Sequence, residues 1–290
     1  MKVAIIGLGL IGGSMGRALI KKTGAIVYAN DISPDVLLKG ELLGCYNERL
    51  TDENITDVDL LVIGVYPKAF SECAEKWLPK LKAGATVMDV CGNKRMVVGA
   101  MRELSEKYPS LNFIATHPMA GREFSGVEHS TASLFENCFW IICPVVADIE
   151  SISALKRTLS AIGARKIIHA EADFHDEIIA YTSQLCHVVS SAFVKSESAE
   201  KLTGFTAGSF RDLTRVAKLN PDMWAELFLE NSDNLVPEIQ NIINNLGDYI
   251  AAIESGDREK LITLLQDGAD RKSAVEKTYQ RFIRDDENRG

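Results

Sequence analysis

The sequence predicts an α/β chain in which a doubly wound parallel sheet is followed by an all-helical C-terminal domain. Three observations predict it. Short apolar runs alternate with helical patterns through the first part of the chain. A glycine-rich turn joins the first such run to the first helical pattern. From about residue 171, long helical patterns take over and strand candidates become few.

The strand candidates are KVAIIG, AIVYAND, DLLVIGV, ATVMDV, NFIATH and FWIICPV. Each is short and almost continuously apolar, as a strand must be when helices cover both faces of its sheet. Between them GGSMGRALIKK, PDVLLKGELLG and PKAFSECAEKWLPKL carry helical spacing. HDEIIAYTSQLCHVVSSAFVK, DMWAELFLENSDNLVPEIQNIINNLGDYIAAI and REKLITLLQDGADRKSAVEKTYQRFI then read as long helices. The expected domains are therefore 1–170, a nucleotide-type sheet, and 171–290, helical. No internal repeat is evident, and the tail RDDENRG reads as a solvated, frayed end.

The bulk numbers narrow the function classes. A chain of 290 residues has room for two modest domains, and 46% hydrophobic with 25% charged residues suits a folded enzyme. A formal net charge of −8 argues against a broad nucleic-acid surface. No apolar run approaches the roughly 20 residues of a membrane span, and the N-terminus has no signal-cleavage pattern. Cys45, Cys73, Cys91, Cys138, Cys143 and Cys186 lack metal-binding or disulfide spacing and read as reduced thiols. The expectation is a cytoplasmic chain with no metal.

Gly7, Gly9 and Gly12 form G-x-G-x-x-G between a strand and a helix, the fingerprint of a Rossmann-type dinucleotide site. Gly7 permits the tight turn, Gly9 lets backbone approach a pyrophosphate, and Gly12 allows close helix packing. Leu10 and Ile11 open the helix, whose free N–H groups and partial positive charge suit phosphates. A second strand ends at Asp31, where a carboxylate would accept from the ribose hydroxyls and repel a 2′-phosphate. NAD is thus favoured over NADP. The run Val62 to Pro67, with Val65 and Pro67, ends a strand where the nicotinamide half would lie. MDVCGNK, ending at Lys94, and IATHPMAG, with His117, also follow strands, so these segments should gather at one sheet edge.

His117 precedes Pro118, which favours an extended backbone leaving the sheet. A neutral imidazole there could accept an alcohol proton as hydride leaves for NAD, or it could be a hydrogen-bonded structural histidine. Ser183 and His187 share a helix face that either lines a cleft or meets another helix. His175 beside Asp176 reads as a helix-start cap, and His129 and His169 as structural. Arg211 and Arg215, four apart, suit carboxylate binding or exposed pairing with Asp212 or Asp222.

Taken together, GLGLIGGS (Gly7 to Ser14), HPMAGREFSG (His117 to Gly126), HDEIIAYTSQLCH (His175 to His187) and FRDLTRVAKLNPDMW (Phe210 to Trp224) resemble the prephenate and arogenate dehydrogenases of tyrosine biosynthesis, the TyrA family. The resemblance runs along nearly the whole chain. It implies that His117 bonds the substrate's ring hydroxyl and assists hydride loss, and that Arg215 binds a substrate carboxylate. It also implies that His187 binds substrate and that Glu123 stands at the pocket entrance. The implied reaction is oxidative decarboxylation of prephenate to 4-hydroxyphenylpyruvate with NAD, by a homodimer joined through the helical domain.

Three departures from the family pattern bear on this. Gly92 stands where a serine is frequent, so Asn93, Cys91 or a water would replace its contact, or the contact is absent. Gln184 stands in place of a histidine in the S-H-L-P-H segment. Arg122 stands where a small hydroxyl residue is common. The fused mutase or regulatory domain of some relatives is not expected here, in which case tyrosine would have to act at the active site. Arogenate as substrate, another two-domain dehydrogenase of hydroxyacids or imines, and a catalytically silent NAD-binding regulator remain open. The second would need a lysine motif not evident here, and the third would bind NAD without turnover.

Overall fold

The structure, a computed structural model, describes residues 1–287. Met1–Ser232 forms one compact unit, and a second begins at Asp233. In the first unit the strands are β1 (Lys2–Ile6), β2 (Ile26–Asn30), β3 (Glu48–Arg49), β4 (Leu60–Ile63), β5 (Thr86–Asp89), β6 (Asn112–Pro118), β7 (Phe139–Val146) and β8 (Lys166–His169). The helices interleaved with them are α1 (Leu10–Thr23), α2 (Pro34–Leu42), α3 (Phe70–Trp77), α4 (Arg95–Lys107) and α5 (Ile149–Ile162). After β8 come α6 (Ala172–Ile179), a π-helical turn at Ala180–Leu185, α7 (Cys186–Phe193), α8 (Gly208–Thr214) and α9 (Pro221–Glu230). The chain then continues into α10 (Ser232–Glu254) and α11 (Arg258–Glu287).

The eight strands form one sheet in the order β3-β2-β1-β4-β5-β6-β7-β8. Strand order reverses between β1 and β4, which opens the crevice where such sheets bind ligands. Alternate residues face opposite sides, so both faces are apolar. Val3, Ile5, Val27 and Val62 pack with Met15 and Leu19 of α1 and Leu155 and Leu159 of α5. Ala4, Ile6, Leu61 and Ile63 pack with Phe70 and Trp77 of α3 and Val97 and Met101 of α4. Burying strands on both sides leaves no polar face, which explains their unbroken apolar runs.

The helix ends follow local chemistry. Ser33 caps α2 by accepting from the Val36 N–H, with Pro34 next. Asp148 caps α5 through the Ser151 N–H at 2.6 Å. Asn220 caps α9 through Met223, again with a proline following. α1 stops at Gly24, which turns left-handed at φ 66.

The structure departs from the sequence reading in several places. β7 runs antiparallel to β6, because the segment joining them contains one short 3-10 turn and no crossover helix. β3, with only two residues, and β8 carry too little pattern to stand out from the sequence. The helical pattern over Asp222–Ile253 is two helices, broken at Asn231. α11 extends to Glu287, so the start of the expected frayed tail is helical, and the tail's last three residues lie outside those described. No helix among the described residues is long and apolar enough to cross a membrane.

The second unit is the helical pair of α10 and α11, turned at Gly256 and started again by Asp257, which caps the Lys260 N–H at 2.9 Å. On α10, Val236, Ile243, Leu246, Ile250 and Ile253 are all more than half exposed.

Candidate active site

The glycine loop after β1 is shaped for close approach. Gly7 adopts φ +88, and a Cβ there would lie 2.4 Å from the Gly64 carbonyl oxygen. A Cβ on Gly12 would lie 2.0 Å from the Gly7 oxygen, so helix and loop touch directly. Gly9 has open space on its Cβ side and caps α1 without a side-chain bond. The first amides of α1, from Leu10 and Ile11 onward, are therefore offered to an anion. At the end of β2, Asp31 accepts from the Leu8 N–H at 2.8 Å and the Ser33 N–H at 2.9 Å. These bonds fix the carboxylate beside the loop and leave further lone pairs for ribose hydroxyls. Val65 sits against Gly7, with its Cγ1 3.3 Å from where a Cβ would stand, and Pro67 is buried at the following turn. The residues present fit a dinucleotide.

The ends of β5 and β6, beside β4, carry a buried polar cluster. Asp89 accepts from the Thr116 and Cys91 N–H groups, each at 2.8 Å, and from Lys94 Nζ. Lys94 also donates to the Thr116 carbonyl at 2.6 Å, and the side chains of Lys94 and Asp89 are wholly buried. One residue further, His117 leaves the sheet. Its Nδ1 lies 2.9 Å from Nε2 of His175, whose Nδ1 lies 2.7 Å from Asp176 Oδ1. Asp176 in turn receives the Lys94 and Arg95 N–H groups at 2.7 and 2.9 Å, at the start of α4.

The electrostatics follow from this burial. Burial, then the neighbouring His175 ring and the Lys94 ammonium, hold His117 well below the usual imidazole range, which favours the uncharged ring. Burial also lowers His175, against the pull of Asp176. Burial pushes the Asp176 carboxyl up, but the bonds from His175 and from the Arg95 and Lys94 amides together outweigh it and keep the acid low.

α6 and α7, with the π turn between them, carry the other histidine. His187 Nδ1 donates to the Ser183 carbonyl at 2.8 Å, and its ring lies over Trp224 of α9, with centroids 3.9 Å apart. Burial, followed by the positive charge of Arg215, lowers its basicity despite the bond to Ser183. Arg215, just after α8, pairs with Glu123 at 2.6 Å. That bond, above all, keeps the Glu123 carboxyl below its usual range. Arg122 points to the His129 carbonyl at 3.5 Å, while Phe124 stacks on the His129 ring.

Between these groups runs an amide network. Asn93 donates to the Leu227 carbonyl at 3.0 Å and to Glu230 at 3.2 Å, and accepts from Gln184 at 3.0 Å. Asn231 donates to Gln184 at 2.9 Å and to the Asp176 carbonyl at 2.8 Å. Asn93, expected at the substrate, would have to give up one of its bonds to reach it. Cys91, the other replacement considered for the missing serine, bonds the Val65 carbonyl at 3.4 Å. A Cβ on Gly92 would stand 3.3 Å from Leu227, so α9 closes over the position.

The structure thus brings Gly7, Gly9, Leu10, Ile11, Gly12, Asp31 and Val65 together around one loop, leaves Pro67 buried in the turn after β4, pairs Arg215 with Glu123, and links Ser183 to His187. No hydrogen bond among the described residues joins His117 to His187, Arg215 or Glu123. Sequence reasoning missed His175 as a partner of His117. A histidine followed by aspartate at a helix start looks like a cap, yet here both side chains are buried and turned to the ends of β5 and β6. The roles of Lys94, Gln184 and Asn231 carry no local signal, because they depend on which elements meet.

The family model for the prephenate dehydrogenase nucleotide-binding domain matches residues 15–168, and that for the prephenate dehydrogenase dimerization domain matches 171–267. The chain is 30% identical to the cyclohexadienyl dehydrogenase of Zymomonas mobilis over 276 residues, covering 90% of this chain and 91% of that one. It is 28% identical to the prephenate dehydrogenase of Bacillus subtilis, covering 94% of this chain and 76% of that one. Among solved structures, the prephenate dehydrogenase of A. aeolicus in complex with hydroxyphenyl propionate and NAD+ superposes with a TM-score of 0.81 at 28% identity, covering 95% of this chain and 98% of that one. With both halves matched and relatives spanning nearly its full length, the chain belongs to the prephenate dehydrogenase family.

Proposed function

We propose that the chain is an NAD-dependent prephenate dehydrogenase, converting prephenate to 4-hydroxyphenylpyruvate and CO2. The observation that carries this reading is the row of strand ends β1, β4, β5 and β6, which holds the glycine loop at one end and the neutral His117 at the other. NAD, when bound, accepts the hydride from the carbinol carbon. His117 takes the hydroxyl proton as that hydride leaves. The ring carboxylate then departs as CO2, its bonding electrons flow through the ring to the former carbinol oxygen, and that oxygen recovers the proton as a phenol. Atoms and charge balance with no other reactant, and aromatisation drives the step.

Arg215 holds a substrate carboxylate, which must displace Glu123 from the guanidinium. His187 and Ser183 frame the helical side of the site, with the ring set by Trp224, and Asn93 holds α9 against them. Glu123 also favours a second reading, since a carboxylate beside Arg215 could take the ammonium of arogenate. We assign residues 1–170 to cofactor and 171–290 to substrate and self-association. The exposed apolar seam on α10 supports a homodimer, its spacing over 236, 243, 246, 250 and 253 being that of a helix packing against another. The six free cysteines suit a reducing compartment such as the cytoplasm.

The test crosses NAD and NADP against prephenate and arogenate, following reduced nicotinamide absorbance. Turnover with prephenate and NAD is expected. Turnover with arogenate alone would leave the mechanism and change the substrate. Silence in all four, with NAD still bound, would favour a non-catalytic regulator.

A further inference from the structure

Among the described residues the His117 ring makes one hydrogen bond, Nδ1 to His175 Nε2 at 2.9 Å. Which nitrogen of each ring carries hydrogen follows from the far end of the chain. Asp176 is tied down at the α4 N-terminus by the Lys94 N–H on Oδ1, and by the Arg95 N–H and Nε on Oδ2. An ionised carboxylate only accepts. His175 Nδ1, 2.7 Å from Oδ1, therefore carries the hydrogen. The neutral His175 ring then has a bare Nε2, and His117 Nδ1 must donate to it. The opposite assignment would aim two lone pairs at each other across 2.9 Å.

We infer that His175, held by Asp176, is a positioning residue that fixes His117 as its Nδ1–H tautomer and leaves His117 Nε2 bare to receive the substrate's hydroxyl proton. When that proton arrives, the His117 ring becomes an imidazolium whose Nδ1–H already points at an acceptor backed by a carboxylate. No reorientation is needed. Gly92 gives this arrangement added weight in this chain, because that position has no side chain and is covered by Leu227. His117 is then oriented through His175 of α6. The inference rests on the reading of His117 as proton acceptor.

The direct test uses the wild-type full-length protein labelled with 15N-histidine, at neutral pH and without substrate. The His117 and His175 rings are assigned among the five by the signals lost in His117→Asn and His175→Gln. Imidazole 15N shifts should show hydrogen on Nδ1 and a bare Nε2 for both His117 and His175. Hydrogen on Nε2 of His117 would overturn the assignment. Because this readout needs no turnover, the two failures separate. An Nδ1–H His117 in a protein inactive on prephenate strikes the substrate reading alone, whereas prephenate turnover with the other tautomer strikes this inference alone.

Kinetics supply the second arm. His175→Leu removes the acceptor and should lower kcat by about 100-fold or more with little change in KM. His175→Gln can place a carbonyl oxygen where Nε2 stood and should recover at least about tenfold of that loss. A role confined to packing predicts no such rescue, so equal kcat for the two variants at equal thermal stability would refute the inference.

Discussion

Lys94→Met is the substitution that loads the account most heavily. Lys94 and Asp89 are both wholly buried, and the ammonium also bonds the Thr116 carbonyl, one residue before His117. Methionine has similar length and no charge, so the change leaves Asp89 buried with only the Thr116 and Cys91 amides for company. Breaking a buried pair from one side costs about 3–5 kcal/mol. For a unit of roughly this size about 1 kcal/mol moves Tm by about 2–4 °C, so a fall of about 6–20 °C is expected. A second effect follows from charge alone. The ammonium disfavours a proton on His117, and its removal should raise the pH of the acid limb of kcat/KM. The assays are thermal unfolding followed by circular dichroism, and pH–rate profiles on the folded variant. A Tm drop below about 3 °C would refute the buried-pair reasoning, and an unmoved or lowered acid limb would refute the electrostatic coupling to His117.

Three further outcomes are expected. Burial holds both His117 and His175 below 6.5 in the folded protein, so between those lowered values and 6.5 the unfolded chain binds more protons. Their stabilising contribution is complete above about pH 6.5 and is lost as pH falls through the folded values; a Tm that rises on going from about pH 7 to 5 would contradict this. Arg215→Ala should raise the prephenate KM about tenfold or more with a smaller change in kcat, since a charge-assisted bond to substrate is lost while the exposed pair with Glu123 matters little to folding; an unchanged KM would remove Arg215 from the substrate site. Gly12→Ala would drive a Cβ to 2.0 Å from the Gly7 carbonyl oxygen. It should weaken NAD binding measured by calorimetry, together with a stability loss of about 1–3 kcal/mol, and wild-type affinity would contradict the close packing of loop on helix.

What the sequence made legible was whatever is written locally. The glycine loop, the apolar strands and Asp31 each owe their place to chemistry within a few residues, and the structure assembles them where the spacing suggested. The reversal of β7 was hidden because strand direction depends on the missing crossover helix and not on the strand's own residues. β3 was hidden by its length of two residues. At the site, His117 could be picked out because Pro118 and the preceding strand fix where it emerges. His175 could not. Its partner lies 58 residues away, and the local pattern of histidine and aspartate at a helix start offered a sufficient explanation in the cap. Asn93 and Gln184 illustrate the same limit, for each side chain is spent on the other and on α9, a destination set by packing alone.

The central claim is that His117 takes the substrate's proton while the glycine loop after β1 holds the cofactor and Arg215, just after α8, holds a carboxylate. The most direct test is His117→Asn, assayed with prephenate and NAD alongside NAD binding by calorimetry. The account predicts a fall in kcat of about 10²–10⁴-fold with NAD affinity intact. A variant turning over within about tenfold of wild type would contradict it, and would leave His117 as a hydrogen-bonded structural histidine.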